Sequence, residues 1–151
     1  MDIYGYLKKD HKKVASLMNE LLETDNINKR HDLFDQIKHE LLLHAKTEQD
    51  TFYKALEDKK PAKENIEEAE DEHKEIEKYL KKLSELEFNS REWLEQFGEF
   101  KHSVTHHVHE EEDIIFKKAK KILSEKKAED LAVEMEKLKE TDKYQKKAEA
   151  I

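Results

Sequence analysis

KHSVTHHVHEEEDIIF, residues 101–116, and LLLHAKTEQDTFY, residues 41–53, decide how this chain is read. Each stretch carries a histidine followed four residues later by a glutamate: His44 with Glu48, and His107 with Glu111. On an α-helix each residue turns by about 100°, so a pair four apart shares nearly one face and both side chains can reach one point. With Leu41 at zero, Ile37 falls near about −40°, His44 near −60°, Glu48 near −20° and Phe52 near +20°. From Val104 the same steps give Phe100, His107, Glu111 and Ile115 the same angles. The histidine and the glutamate therefore lie inside an apolar stripe. His106 and Glu110 have the same spacing but point to the opposite face.

Working outward, the apolar residues recur at helical spacing and predict a first helix from about Ile3 to Leu22 and a second from about Lys29 to Leu56. Pro61 fits the first turn of a third helix, about Ala62 to Leu86. Asn89 with Glu92 reads as a capping box opening a fourth that continues to Ile122, and Ser124 caps a fifth, about Glu125 to Lys147, placed over one end of the bundle or at an oligomer contact. Four long helices joined by short links make an all-α, antiparallel up-down four-helix bundle with an additional C-terminal helix.

The chain also repeats itself. Setting His11 on His73 places Leu7 on Ala69, Val14 on Ile76, Met18 on Leu80 and Leu21 on Leu83. A shift of 63 residues places Phe34 on Phe97, Ile37 on Phe100, His44 on His107 and Glu48 on Glu111. Two helical hairpins, about 1–58 and 62–123, share one pattern within a domain of residues 1–123, and residues 124–151 form a helical extension.

Composition excludes several classes. Two glycines and one proline against 44% charged residues leave too little turn chemistry for an all-β fold. A net charge of −8 opposes a phosphate backbone as partner, and no apolar run approaches the length of a membrane span, so no nucleic-acid or membrane partner is expected. No leader is visible, which points to a cytoplasmic protein. With no cysteine, any metal must be held by nitrogen and oxygen.

His11 and His73 each interrupt an apolar stripe at a core position. Four inward histidines and two inward glutamates from four helices supply terminal nitrogens and two carboxylates able to bridge a pair of metals, a ligand set suited to iron or manganese. The bland alternative is a bundle whose buried histidines merely pair with buried glutamates, which is costly to desolvate without a cation. His31, His39, His102, His106 and His109 fall on outer or flanking faces, and the run Glu110 to Asp113 reads mostly as a polar face. Tyr4, Tyr6 and Tyr53 either line the site or are plain core.

Asp10-His11, His44-Ala-Lys-Thr-Glu48 with Phe52-Tyr53, Glu72-His73, and the segment His106 to Phe116 resemble the haemerythrin HHE cation-binding family over about residues 1–123. The resemblance implies two oxo- or hydroxo-bridged irons, with manganese or zinc as possible substitutes. It implies His11, His44, His73 and His107 as terminal ligands and Glu48 and Glu111 as bridges. The oxygen carriers of that family have His-x-x-x-His on the third helix and Asp as the last ligand. Here Glu77 stands for that second histidine, as a seventh ligand or a hydrogen-bond acceptor behind the ligands, and Glu111 stands for the aspartate. A carboxylate in place of imidazole favours oxidised iron and argues against reversible oxygen carriage. The expected function is binding or sensing of oxygen, nitric oxide or peroxide by a monomer or weak homodimer. The alternatives are a di-iron enzyme of oxidative or nitrosative stress, including iron-centre repair, or iron storage. No catalytic acid or nucleophile stands out.

Overall fold

A computed structural model describes residues 1–149, and among the described residues there are six helices. They are α1 (Ile3–Glu23), α2 (residues 27–56), α3 (Lys60–Glu85), α4 (residues 91–122), α5 (Glu125–Lys139) and α6 (Asp142–Glu149). Among the described residues there is no strand. The last two residues of the expected extension, Ala150 and Ile151, lie outside the described residues.

Helix α1 packs on α2 and α3 on α4, giving two hairpins that close into the antiparallel four-helix bundle. The repeat pairs Val14 and Ile76, Met18 and Leu80, Leu21 and Leu83, Phe34 and Phe97, and Ile37 and Phe100 are all buried. They belong to one apolar cluster, in which Trp93 stacks on Phe97 at 5.1 Å and donates its indole N–H to Leu83 O. Leu7, Ala69, Phe52 and Ile115 belong to a second cluster at the other end. The inward histidines fall between these two clusters, so a polar layer divides an otherwise apolar core.

The helix ends follow ordinary capping chemistry, with some shifts from the expected boundaries. Asn26 caps α2 by accepting from the Lys29 N–H, so that helix begins at Ile27. Pro61 sits in the first turn of α3, where no backbone donor is required. The cap of α4 is Ser90 and not Asn89: its hydroxyl accepts from Trp93 N and donates to Glu87 O, and burial of Trp93 against Phe34 and Phe97 holds that register. Ser124 caps α5 as expected.

Two departures from regular helix shape the site and the tail. First, α2 and α4 each contain a π-helical turn, Gln49–Tyr53 and Glu111–Ile115, one residue apart in the register of the repeat. A wider turn delays the rotation of the residues after it. In a uniform α-helix Tyr53 would lie about 100° beyond Phe52, off the inner face, yet here Thr51, Phe52, Tyr53 and Leu56 are all buried. Secondly, the expected fifth helix is two helices. Thr141 Oγ1 donates to Leu138 O and Gln145 Nε2 to Lys139 O, so side chains take carbonyls that a continuing helix would use. The chain turns at residues 140–141, and Tyr144 and Ala148 enter the first apolar cluster. This tail lies along α1 and α2 and does not cover an end of the bundle. Its Tyr144 hydroxyl donates to Asp50, and Glu136 accepts from the Tyr6 hydroxyl.

Candidate metal centre

Helix α1 contributes His11, α2 His44 and Glu48, α3 His73, and α4 His107 and Glu111, all buried. Glu48 and Glu111 are 0% exposed, a position that carboxylates almost never occupy without partners. The ligand atoms of His11, His44, Glu48 and Glu111 lie within 4.8 Å of one another, and so do those of Glu48, His73 and His107. Glu48 belongs to both groups. Its Oε1 is 3.4 Å from His44 Nε2 and 3.3 Å from His73 Nε2. Glu111 spans the same gap with its two oxygens, Oε1 at 3.2 Å from His11 Nε2 and Oε2 at 3.7 Å from His107 Nε2. The pairs His11 and His44, and His73 and His107, thus face each other across two carboxylates.

The outer side of each ring is held by a second layer. His11 Nδ1 pairs with Glu112 at 2.6 Å, His44 Nδ1 with Asp10 at 2.8 Å and His107 Nδ1 with Glu72 at 2.7 Å. The Gln49 amide lies 3.3 Å from His73 Nδ1. A carboxylate at Nδ1 keeps the proton on that nitrogen and turns the Nε2 lone pair inward, which is the arrangement of metal-binding imidazoles. Truncating one such partner, as in Glu72→Ala, is expected to weaken metal binding by roughly 10–100-fold, read by competition with a chromophoric chelator.

The inward atoms fit a cation better than each other. His11 Nε2, His44 Nε2, both Glu48 oxygens and Glu111 Oε1 are buried without a hydrogen-bond partner, because the contacts of 3.2–3.4 Å among them lack hydrogen-bond geometry. His73 Nε2 and His107 Nε2 approach to 3.0 Å, and two lone pairs at that distance repel unless a proton or a cation lies between them. Nitrogen and carboxylate donors of this kind suit a borderline or hard divalent ion.

The charges follow from the same packing. Burial disfavours a charged His44, but Glu48 and Asp10 outweigh it and raise its pKa to about 10. Burial pushes Glu48 up, yet His44 and His73 hold it well below the usual carboxylate range. Burial, with His107 and His44 adding to it against the pull of Glu48, lowers His73 to about 4. Burial and the charge of Glu48 raise Glu111. In the metal-free protein the stability from His44 is complete below about 6.5, its unfolded value, and is lost as pH rises towards about 10. His73 works in the opposite direction: the unfolded chain takes its proton near 6.5 and the folded chain only near 4, so stability falls as pH drops through that window. The thermal midpoint of chelator-treated protein is therefore expected to peak near pH 6.5.

Glu77 lies elsewhere. It is half-buried at the rim of a cavity beside the centre, where it pairs with Lys46 at 3.5 Å, and it belongs to neither ligand group. Leu41, the reference of the α2 stripe, is half-buried and lines the same cavity. His31, His102, His106 and His109 are exposed and His39 half-buried. His106 pairs with Glu110 at 3.1 Å on the outer face, as its angle predicts. Two kinds of residue escape sequence reasoning. Glu112 reads as polar surface by its position in an acidic run, whereas it holds His11; Asp10, Glu72 and Gln49 do likewise for the other rings. Tyr53, which the residue pattern leaves between site and core, belongs to the site. Its hydroxyl donates to Glu111 Oε2 at 2.5 Å and lies 3.4 Å from both His73 Nε2 and His107 Nε2.

The profile of the Hemerythrin HHE cation binding domain matches residues 2–119, the stretch that carries all six inward histidines and glutamates. The chain belongs to that family. A solved HHE cation-binding domain-containing protein from Mycobacterium kansasii is similar over 97% of this chain and 88% of its own, with 26% identity and a TM-score of 0.84. A curated relative, a DNA nickase from Nostoc sp., is 26% identical over 134 residues, which make up 89% of this chain. The HHE chain spans only 38% of that relative's length. Membership makes this a cation-binding fold, and among its described residues no helix is long and apolar enough to cross a membrane.

Proposed function

We propose that this HHE domain holds two iron ions and binds a small ligand, oxygen, nitric oxide or a peroxide, between them and the adjoining cavity. The observation that carries the reading is the sharing of Glu48 and Glu111 by both histidine pairs, which a single ion does not need. His11 and His44 would hold one ion and His73 and His107 the other. Such a pair, when bound, supplies electrons to the ligand and an open position for it.

The residues of the chain do the rest. Asp10, Glu72 and Glu112 fix three rings from behind, so that the centre keeps its geometry when its charge changes. Apolar walls above and below exclude water and lower the local dielectric. Tyr53, and not Glu77, would be the seventh ligand: its oxygen faces the His73 and His107 side, and its proton would be displaced on metal binding. Turnover of peroxide or nitric oxide and iron storage remain the alternatives to binding; more than two irons per chain would favour storage. Manganese or zinc would compete for the same donors. The nickase activity of the Nostoc protein is not carried over, since the match covers 38% of that chain and a net charge of −8 opposes a phosphate backbone.

The test is the optical spectrum of iron-loaded protein before and after air, nitric oxide or peroxide. A bridged ferric pair absorbs in the near ultraviolet, and a tyrosinate on ferric iron adds a visible band. Tyr53→Phe is expected to remove the visible band while keeping both irons. A spectrum identical in Tyr53→Phe protein would exclude Tyr53 as ligand, and one unchanged by all three reagents would exclude the proposed function.

A further inference from the structure

A cavity of about 200 Å³ opens beside the centre, and all four inward histidines reach its wall. Leu41, Leu42, Ile76, Leu80, Val104 and Val108 supply its apolar lining, and Lys46, Lys74 and Glu77 its charged lining. The size is informative. A small diatomic or peroxide needs little more than the roughly 30 Å³ of one water, whereas an aliphatic cavity of about 150 Å³ accepts benzene. With two ions and a small ligand in place, the space left is close to the volume that accepts benzene, about six carbon atoms.

Charge selects the head group of such a molecule. Lys74 and the pair of Lys46 with Glu77 leave net positive charge on the charged lining, and a cation pair held by the histidines would be positive as well. A molecule with an apolar body and one negative charge complements both. Resting on the two-metal reading, we propose that the cavity is a binding site for a small organic monocarboxylate, its body between Leu41, Ile76, Leu80 and Val104 and its carboxylate towards the metal-bearing histidines.

Zinc-loaded protein tests this without redox chemistry. Benzoate, acetate and toluene are titrated by calorimetry and by ligand-observed magnetic resonance, with zinc content measured on each sample. Benzoate is expected to bind about tenfold or more tightly than acetate, which has the head without the body, and than toluene, which has the body without the head. Filling the cavity by Val104→Phe is expected to weaken benzoate by about tenfold or more with zinc unchanged. Leu41→Phe repeats the test at a half-buried position of the cavity wall. Equal binding of acetate and benzoate, or of toluene and benzoate, or benzoate binding indifferent to both phenylalanines, overturns the cavity assignment while the metal reading stands. Failure of the parent protein to take up zinc overturns both.

Discussion

Glu48→Gln protein is expected to bind metal two to four orders of magnitude more weakly than the parent. Glu48 Oε1 lies within 3.4 Å of imidazole nitrogens from two different helices and is 0% exposed, so no neighbouring water or side chain can replace its charge. Removing one charged partner from a buried, compensated set costs about 3–5 kcal/mol, and each 1.4 kcal/mol is about tenfold in Kd. Because the carboxylate serves both histidine pairs, both ions should weaken together. Metal content after exhaustive dialysis measures this. Retention of two tightly held ions by Glu48→Gln protein would show that Glu48 is not shared.

The second large effect has opposite signs in two states. Glu111 is fully buried, pushed towards protonation by burial and by Glu48, and its Oε1 has no hydrogen-bond partner. In the metal-free chain its unpartnered oxygen is a liability, since a buried polar atom left without a hydrogen-bond partner costs about 1–3 kcal/mol, a cost that leucine of similar volume does not carry. Glu111→Leu is therefore expected to raise the midpoint of chelator-treated protein and to lack the stabilisation by iron that is expected of the parent. Chemical denaturation with and without iron provides both numbers. A variant less stable than the parent in both states would mean that Glu111 serves packing and not a cation.

The tail links to this chemistry through one residue. Lys139, on α5, donates to Asp10 Oδ2 at 2.5 Å, and the same oxygen receives the His44 Nδ1 proton. Burial works against a charged Asp10, but His44 and Lys139 hold its carboxyl below the usual range. A helix outside the four-helix bundle thus helps to fix a ring inside it.

Much of the fold and centre is legible from residue order because the signals are periodic. A histidine and a glutamate four apart, inside an apolar stripe, settle their own direction, and the 63-residue repeat settles it twice. Glu77 stands one turn after His73, near the inner face by angle, and in the fold it sits at the cavity rim paired with Lys46. Tyr53 is obscured for the complementary reason: only the π-helical turn brings it inward, and nothing in the composition of QDTFY announces that turn. Glu112, Glu72 and Asp10 sit next to inward residues on faces that look solvated, and their contacts depend on which helix lies opposite. The break at residues 140–141 depends on side chains capturing carbonyls, a contest that propensity alone does not decide.

Anomalous diffraction at the iron edge from crystals of the iron-loaded protein tests the central claim most directly. Two peaks are predicted, one against His11 and His44 and one against His73 and His107, with Glu48 and Glu111 spanning them. A single peak, or metal only at the outer group of Glu72, His106 and Glu110, would contradict it.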